Sequence, residues 1–503
     1  MHKMRWTYFL ILFFCLINFS YAKAGKPLRQ NSHIIFPQHT FKRLPAKAKT
    51  ISLYEAILLA VRSNPNVEIS QLSYLSQKFN LFVQEWEFYP HYSLQASAAS
   101  NRSGVPGQPI QTAHGYTVQP GISLLTPIGT QASLTATNNI SGNYNPGLSL
   151  QIIQPLIRGF GRAVVEAALF NARDSEVISR LNIEGVLRST VSDVINAYLD
   201  VISAERTILI DEAAVKRSEQ SVYQTKLFIQ SGRKAGNELV TVKANVASAK
   251  SQLENDKNNL TQARYALLKA IGVDPNTDLY FSSIDIQKLI DKYHLPPIEE
   301  TKLLVLANDI QYQTDNITLN GATKRTLLTA EDQRRWQLNF TLNATTGNGS
   351  GGGQNAGVNS LFNGANQTQS VALNLTIPID DQLAKQAVVN ARVALKSAQL
   401  ALLQEKWNKE TSGINGWNLV SSARRTLYYA IDAEKLQQKT WNISYQKYLH
   451  GLIDSLELQT AQLQLIQAQQ SLLSAQIGYL KALVNFDSLI GNTLLTWHIK
   501  VRC

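Results

Sequence analysis

The residues that could support catalysis are sparse and scattered along this chain of 503 residues. Gly159-Phe160-Gly161 begins like a dinucleotide-binding loop, but Val164 stands where the third glycine is needed. No Gly-x-Ser-x-Gly nucleophile turn occurs in the sequence. The later histidines lack the i, i+4 spacing of a helical metal pair: His91, His114, His294, His450 and His498. The sequence therefore predicts no enzyme activity, no cofactor and no metal site.

Two adjacent carboxylates, Asp380 and Asp381, are the remaining candidates for acid–base chemistry. They follow a strand-like segment and precede a long helical one. Because Asp is a preferred residue at the start of a helix, we interpret the pair as a helix N-cap rather than a catalytic dyad.

The N-terminal segment predicts export. Lys3 and Arg5 precede the apolar run WTYFLILFFCLI at 6–17, and Ala22-Lys23-Ala24 offers a cleavage site. An uncleaved anchor is the alternative, but the run is shorter than the ~20 residues of a spanning helix. We predict a signal peptide at 1–24 and an irregular lead at 25–50. No later segment holds 18 consecutive apolar residues, so the mature protein is either soluble beyond the inner membrane or a β-barrel.

The formal net charge of +12 suggests nucleic-acid binding, but its distribution does not. Three of these charges belong to the predicted signal peptide, and six more belong to the lead at 25–50, which contains no acid. The remaining chain is nearly neutral, so we predict no nucleic-acid partner. With two cysteines, Cys15 and Cys503, a disulfide scaffold is also excluded.

The rest of the chain contains an internal repeat. Gly232, Leu239 and Gly272 recur 219 residues later as Gly451, Leu458 and Gly491, and two strand-like runs end at Pro155 and Pro378. Such self-similarity indicates a duplicated unit. We predict repeats at 51–272 and 303–491, a connector at 273–302 and a tail at 492–503.

Heptads and proline-free runs define the helices. Apolar residues recur every seventh position from Leu239 to Leu267 and from Leu458 to Phe486, which is typical of left-handed coiled packing. The runs at 162–231 and 382–450 would be ~105 Å long as helices, about twice the length of the other helical pieces. We therefore expect each long helix to lie beside a pair of shorter ones.

Several segments alternate apolar and polar residues as strands do. They lie near 91–100, 116–125, 129–138, 147–154, 338 and 371. Their lengths approach the ~9–11 residues of a membrane-spanning barrel strand. Four to six strands cannot close a wide barrel alone, so a barrel requires several copies of the chain. The fold class is thus mostly α with a small β part.

These features together resemble the TolC-type outer-membrane efflux family. The resemblance rests on Asn64-Pro65 in the first helix, the junction from Gln154 to Gly161, and Tyr448-x-x-Gly451 followed by Leu456-Glu457-Leu458. It implies a homotrimer with a long-helix α-barrel and a shared transmembrane β-barrel in the outer membrane of a Gram-negative bacterium. It also implies a passive exit duct that contacts outer-membrane lipid and docks with a periplasmic adaptor and an inner-membrane pump.

The family pattern uses four barrel strands per chain, whereas this sequence offers an additional pair at 116–125 and 129–138. That pair could enter the barrel or form an extracellular hairpin. The pattern also places helix turns at Gly232, Gly236 and Gly451, and strand-to-helix junctions at Pro155, Arg158, Gly159 and Pro378.

By the same resemblance, the two helix turns would close the periplasmic mouth. The candidate gate residues are Glu238, Tyr448, Gly451, Asp454 and Glu457. We hypothesise that Tyr448 hydrogen-bonds Glu238 and that three copies of Glu457 form an acidic ring. Alternatively, the three acids are solvated residues favoured by the helix dipole. The competing function is an exported coiled-coil or adhesin-like surface protein without transport activity.

Overall fold

The computed structural model describes residues 49–104, 106–107, 109–141, 143–277, 279–282, 286–290, 293, 295–347 and 367–499. The predicted signal peptide at 1–24 lies outside these residues, as do nearly all of the predicted lead and most of the Gly/Asn-rich segment between the last two strands. The described part is mostly helical with a smaller part in strands, as predicted.

The described residues form eight strands, twelve α-helices and one π-helical turn. They are β1 (Lys49–Ile51), α1 (Leu53–Ser63), α2 (Pro65–Trp86), β2 (His91–Ser103), β3 (Gln111–Leu125), β4 (Gln131–Ser141), β5 (Asn143–Pro155), α3 (Arg162–Val165), α4 (Ala167–Gln230), α5 (Glu238–Ile271), β6 (Leu279–Phe281), α6 (Ile286–Ile290), α7 (Ile298–Asn308), α8 (Ile310–Thr318), a π-helical turn (Leu319–Thr323), α9 (Lys324–Gln333), β7 (Gln337–Gly347), β8 (Thr368–Thr376), α10 (Gln382–Leu449), α11 (Ser455–Leu489) and α12 (Thr493–Thr496).

The predicted pairing of long and short helices is confirmed. Helix α4 has 64 residues and packs against α1 and α2 over one part and α5 over the other. Helix α10 has 68 residues and packs in the same way against α7 to α9 and against α11. The predicted heptad positions face these contacts, since Leu267, Leu458, Leu465 and Phe486 are all buried.

An asparagine and a glycine join the short helices of each half. Asn64 ends α1 and begins α2, and its Nδ2 donates to the carbonyl of Ala270, 2.7 Å away. Gly272 ends α5 with φ +83° and lies directly against Ser63 and Asn64. The second half contains the same arrangement, in which Asn308 Nδ2 donates to the Ile490 carbonyl at 2.8 Å and Gly491 abuts Asn308.

The main apolar core surrounds the middle of α4. Val191, Ile195 and Tyr198 are completely buried there, together with side chains from α1, α5 and α11. The Tyr198 hydroxyl lies 2.7 Å from the Ser282 carbonyl and 3.1 Å from that of Ile51. It thereby ties the long helix to the parallel pair of β1 and β6. No helix among the described residues is long and apolar enough to span a membrane.

The other strands form one antiparallel sheet in the order β2-β3-β4-β5-β7-β8. The additional pair predicted from the sequence, now β3 and β4, lies inside this sheet between β2 and β5. Ladder pairing extends across it, with Tyr92 opposite Ile122, Ile122 opposite Leu134 and Leu134 opposite Leu150, and the pairing of β3 with β4 is interrupted at Gln119 and Pro120. The sheet therefore contains six strands and not the four of the family pattern.

The sheet has one apolar and one polar face. Register places Leu134, Leu150 and Val371 on the first face, while Ser133, Gln151 and Asn343 share the second. Several apolar side chains are largely exposed in the single chain, including Leu94 at 73% and Val371 at 67%. Within the described strands of this six-stranded sheet, Arg102 is the only Asp, Glu, Lys or Arg. An exposed apolar face of this extent indicates contact with lipid or another chain.

We predict that Gly272→Ala destabilises the protein more than Gly232→Ala. A Cβ at residue 272 would lie 2.6 Å from the Ser63 carbonyl oxygen and 2.7 Å from Asn64 Cα, whereas one at residue 232 would meet nothing within 4 Å. Both glycines have positive φ, so both variants bear the ~1–2 kcal/mol cost of that conformation. Gly272→Ala adds an overpacking cost of ~1–3 kcal/mol. Guanidinium unfolding followed by circular dichroism compares them, and equal losses would contradict this packing.

Candidate functional site

Two glycine turns form the tips of the helix hairpins α4–α5 and α10–α11. Gly232 has φ +72° and Gly451 has φ +74°. The hydrogen bonds from Arg233 N to Phe228 O and from Leu452 N to Lys447 O, 2.8 and 2.9 Å, each close a Schellman motif. The positive φ favours glycine at both positions. Packing does not, because the space around both Cα atoms is open. Gly236 lies in the same turn as Gly232, just before α5.

Tyr448 is completely buried at the end of α10, facing α4. Its hydroxyl lies 2.7 Å from Thr225 Oγ1. The Thr225 hydroxyl donates to the Ser221 carbonyl at 2.7 Å, so Tyr448 is the donor to Thr225. The hypothesised hydrogen bond from Tyr448 to Glu238 is therefore wrong. Phe228 packs edge-on against the Tyr448 ring, with centroids 5.6 Å apart.

Glu238 instead makes an ion pair with Lys234 and accepts a hydrogen bond from Ser455. Lys234 Nζ and Ser455 Oγ lie 2.8 and 2.9 Å from the same carboxylate oxygen. Lys234 Nζ also lies 4.7 Å from the centroid of the Tyr448 ring. Glu238 and Tyr448 thus belong to one cluster, but Lys234 stands between them. A cation over an aromatic face is favourable when partly desolvated, which applies to this lysine.

Two further side-chain hydrogen bonds join the hairpin α10–α11 to the hairpin α4–α5. Gln459 Nε2 donates to Asn245 Oδ1 at 2.7 Å, and Gln462 Nε2 donates to Ser218 Oγ at 2.9 Å. We give the name tip clamp to four of the side-chain hydrogen bonds that join the two hairpins: Thr225–Tyr448, Glu238–Ser455, Asn245–Gln459 and Ser218–Gln462. Each is a hydrogen bond between side chains, so the hairpins are joined here by polar contacts that water can replace.

The remaining predicted gate acids lie at the start of α11. Asp454 Oδ1 accepts from the backbone N–H of Glu457 at 2.7 Å, which makes Asp454 the N-cap of this helix. Asp454 is therefore an acid at the start of a helix, as the alternative interpretation of the gate acids predicts. The side chain of Glu457 is exposed to solvent.

A cavity of about 280 Å³ lies behind the tip clamp. Its lining includes Tyr448, Ser455 and Gln462, and at its far end Asp211 of α4. Asp211 faces Asp256 of α5, and both are buried. Asp256 accepts hydrogen bonds from Gln252 and Asn259, whereas Asp211 Oδ2 has no donor among the described residues. Two facing carboxylates can hydrogen-bond only if one of them holds a proton.

The two carboxyl groups differ in pKa because their surroundings differ. Burial, and to a lesser degree the neighbouring Asp256, raises the pKa of Asp211 from 3.8 to about 7. Burial also opposes ionisation of Asp256, but hydrogen bonds from Asp211, Gln252 and Asn259 outweigh it and lower its pKa below the usual value. We infer that below neutral pH Asp211 holds the proton and donates a hydrogen bond to the ionised Asp256.

One sign of this pair was present in the sequence. Asp256 occupies a heptad position that is Val242, Ala249, Ala263 or Ala270 in the neighbouring turns. A carboxylate at such a position must be buried and therefore needs a partner. Asp211 itself has no comparable signal, because α4 lacks a regular heptad.

The predicted strand-to-helix junctions lie at the end of the sheet next to the helices. Pro155 ends β5, Arg158 is exposed, and Gly159 N donates to the buried Asp332 of α9 at 2.8 Å. Pro378 is exposed after β8 and precedes the N-cap Asp381, whose Oδ1 accepts from Ala384 N at 2.8 Å. The interpretation of Asp381 as a cap is confirmed.

The turn between β3 and β4 packs on the first of these junctions. Gly161 N donates to the Ile128 carbonyl at 3.2 Å. A Cβ at Gly129 would lie 2.4 Å from the Gly159 carbonyl oxygen, and Gly129 has φ +97°. The turn therefore lies at the same end of the sheet as the junction after β5.

The chain thus combines paired long helices with a sheet that has one apolar face. The family model described as "Outer membrane efflux protein" matches residues 111–273. The resemblance to the TolC-type family predicted from the sequence is confirmed. A search of curated proteins gives no significant match.

Three solved channels show how far the likeness extends. The structure is similar to CusC, with a TM-score of 0.68 and 14% identity over 90% of this chain and 95% of CusC. It is similar to the Campylobacter jejuni CmeC outer membrane channel, with a TM-score of 0.66 and 14% identity over 90% and 91%. It is also similar to the Neisseria gonorrhoeae MtrE outer membrane channel, with a TM-score of 0.65 and 16% identity over 87% and 88%. At these identities the likeness shows the fold.

We predict that stability falls as the pH rises from about 4 through 7 because of Asp211. In the unfolded chain this carboxyl ionises near its ordinary pKa of 3.8, whereas folding raises the pKa to about 7. Its contribution is therefore fully present below pH 3.8 and is lost as the pH approaches and passes 7. In Asp211→Asn this part of the pH dependence should disappear, as measured by unfolding midpoints from pH 5 to 8. Glu212→Gln, at the exposed neighbouring position, is the control. Parallel pH curves for wild type and Asp211→Asn would contradict the shared proton.

Proposed function

We propose that the protein is the outer-membrane exit duct of a tripartite efflux or type I secretion system. The observation that carries this proposal is the fold, which is shared over nearly the whole of this chain and of several solved outer-membrane channels. The family match over residues 111–273 supports it independently, because it comes from sequence. The duct is passive: the chain binds and guides cargo but performs no catalytic step.

In the proposed assembly, three copies of the chain surround a common axis in the outer membrane of a Gram-negative bacterium. Their sheets form one β-barrel whose apolar face contacts lipid, and their helices form an α-barrel that extends into the periplasm. The 64 and 68 residues of α4 and α10 correspond to ~96 and ~102 Å. The duplicated halves, 51–272 and 303–491, each supply one long helix and its shorter partners.

We propose that the tip clamp holds the periplasmic mouth closed like an iris. Moving the α10–α11 hairpin away from α4–α5 breaks the four side-chain contacts of the clamp. These contacts can open and close readily, because their polar groups bind water once the hairpins separate. Breaking each hydrogen bond then has a net cost of ~1 kcal/mol. Partner binding at the tips can supply free energy on that scale.

The tips are also the proposed docking surface for the periplasmic adaptor, which connects the duct to an inner-membrane pump. Leu452 and Leu456 are 73% and 62% exposed beside the turn at Gly451. Exposed leucines next to a gate supply apolar area that an adaptor can bury. The cargo then follows from the pump: a proton-driven pump implies small molecules or metal ions, and an ABC transporter implies a protein.

The alternative is an exported coiled-coil or adhesin-like surface protein without transport activity. The sheet argues against it, because a surface coiled coil has no need for an apolar face with exposed leucines and valines. The two functions differ in one property: a duct conducts ions across a bilayer and an adhesin does not.

We predict that Tyr448→Phe opens the duct. The variant keeps the buried ring but removes the hydrogen bond to Thr225, which weakens the clamp by ~1 kcal/mol and raises the open fraction about fivefold. Purified protein in planar bilayers should therefore show channels in the wild type and a higher open probability in Tyr448→Phe. Tyr429→Phe is the matched control, because that tyrosine is 67% exposed on α10. A wild type without any conductance would favour the alternative function.

We predict that Glu457 sets ion preference at the mouth. Three copies of this exposed carboxylate around the axis attract cations and hinder anions. Glu457→Gln should reduce the cation preference measured as a reversal potential across a salt gradient. Glu299→Gln, an exposed acid of α7 away from the tips, should leave it unchanged. An unaltered reversal potential in Glu457→Gln would eliminate the acidic ring.

A further inference from the structure

The hairpin formed by β3 and β4 lies between β2 and β5 in the sheet. A hairpin outside a barrel wall would leave β2 paired with β5, as neighbours in the wall. Here β2 pairs with β3 along thirteen residues from His91 to Ser103, and β5 pairs with β4 along eleven. Among the described residues, the hairpin is therefore the only connection between β2 and the rest of the sheet.

The hairpin also has the dimensions of a wall element. Strands β3 and β4 contain 15 and 11 residues, and a membrane-spanning strand needs ~9–11. Their turn rests on the junction after β5, where Gly129 abuts Gly159, so both strands reach the helix end of the sheet. Their apolar side chains continue the apolar face of the neighbouring strands, as Ile122 and Leu134 show.

The sheet has two edges without partners within the described chain, at β2 and β8. In lipid the backbone groups of an edge strand must be hydrogen-bonded, because no water is present to replace the missing strand. With six alternating strands, β2 and β8 run in opposite directions, so β8 of one copy can pair antiparallel with β2 of the next. Neither edge contains an acid, and Arg102 near the end of β2 is its only charge, so no repulsion opposes this pairing.

We propose that each copy contributes six strands, so that the trimer forms an eighteen-stranded barrel rather than a twelve-stranded one. This inference rests on the trimeric duct proposed above and specifies its outer opening. With strands ~4.8 Å apart and tilted by ~40°, eighteen strands give a backbone diameter of ~36 Å, against ~24 Å for twelve.

The same arrangement defines the chemistry of the opening. The polar face, which would line it, bears hydroxyl and amide groups such as those of Ser133, Gln151 and Asn343. In the described strands this face has no Asp, Glu, Lys or Arg. A wide, uncharged opening does not discriminate by charge, so the outer end admits cationic, anionic and bulky cargo alike, and any charge selection occurs at the helix tips.

The inter-copy distance in the intact trimer tests the strand number. Ser370→Cys and Val371→Cys place spin labels on the polar and apolar faces of β8, in chains whose native cysteines are replaced by serine. Because one label points inwards and the other outwards, the mean of their two inter-copy distances reports the backbone radius. Double electron–electron resonance should give a mean of ~31 Å for eighteen strands and ~21 Å for twelve. The Val371 distance should be the longer one, since the apolar face points outwards.

A shortened chain provides the matched control. Replacing residues 104–142 by a tight turn joins β2 directly to β5 and leaves four strands, so the mean distance should fall to ~21 Å. A mean of ~21 Å in the intact chain would overturn the six-strand wall while leaving the trimeric duct in place. A monomer, or labels without any defined inter-copy distance, would overturn the duct itself.

Discussion

A β-sheet in lipid has to close, and the proposed duct depends on this constraint. Every backbone group of an edge strand needs a partner, and the described chain leaves both β2 and β8 without one. An even number of alternating strands makes these edges antiparallel and mutually compatible. In the proposed trimer, the exposed apolar face contacts lipid and the two open edges pair with further copies of the chain.

The helices connect this sheet to a region with a different physical character. Around Tyr198 the long helix α4 is fixed by a completely buried apolar core, and asparagine–glycine contacts at Asn64 and Gly272 fix the shorter helices beside it. Towards the tips, fewer apolar side chains are buried, and side-chain hydrogen bonds join the hairpins. Regions with few buried apolar contacts open at the lowest free-energy cost. The proposed gate therefore lies where the two hairpins can separate without disturbing the core.

Much of this architecture could be predicted from periodicity. The heptads from Leu239 and Leu458 identified the packed faces of α5 and α11, and the alternation of β3 and β4 identified them as strands. The order of the strands in the sheet could not be predicted from the sequence, because alternation fixes which residues share a face but not which strands are neighbours. The proposed partner of Tyr448 was wrong for a similar reason. Thr225 lies in the last two turns of α4 and belongs to no motif, and only the tertiary packing of α10 near α4 shows that it faces the tyrosine.

Electron cryomicroscopy of the purified protein in lipid nanodiscs tests the central claim most directly. The account predicts three copies around one axis, with a transmembrane wall in which β8 of each copy pairs with β2 of the next and eighteen strands can be counted. Twelve strands with β3 and β4 outside the wall would contradict the closure described here, and a single chain without a closed wall would contradict the duct altogether.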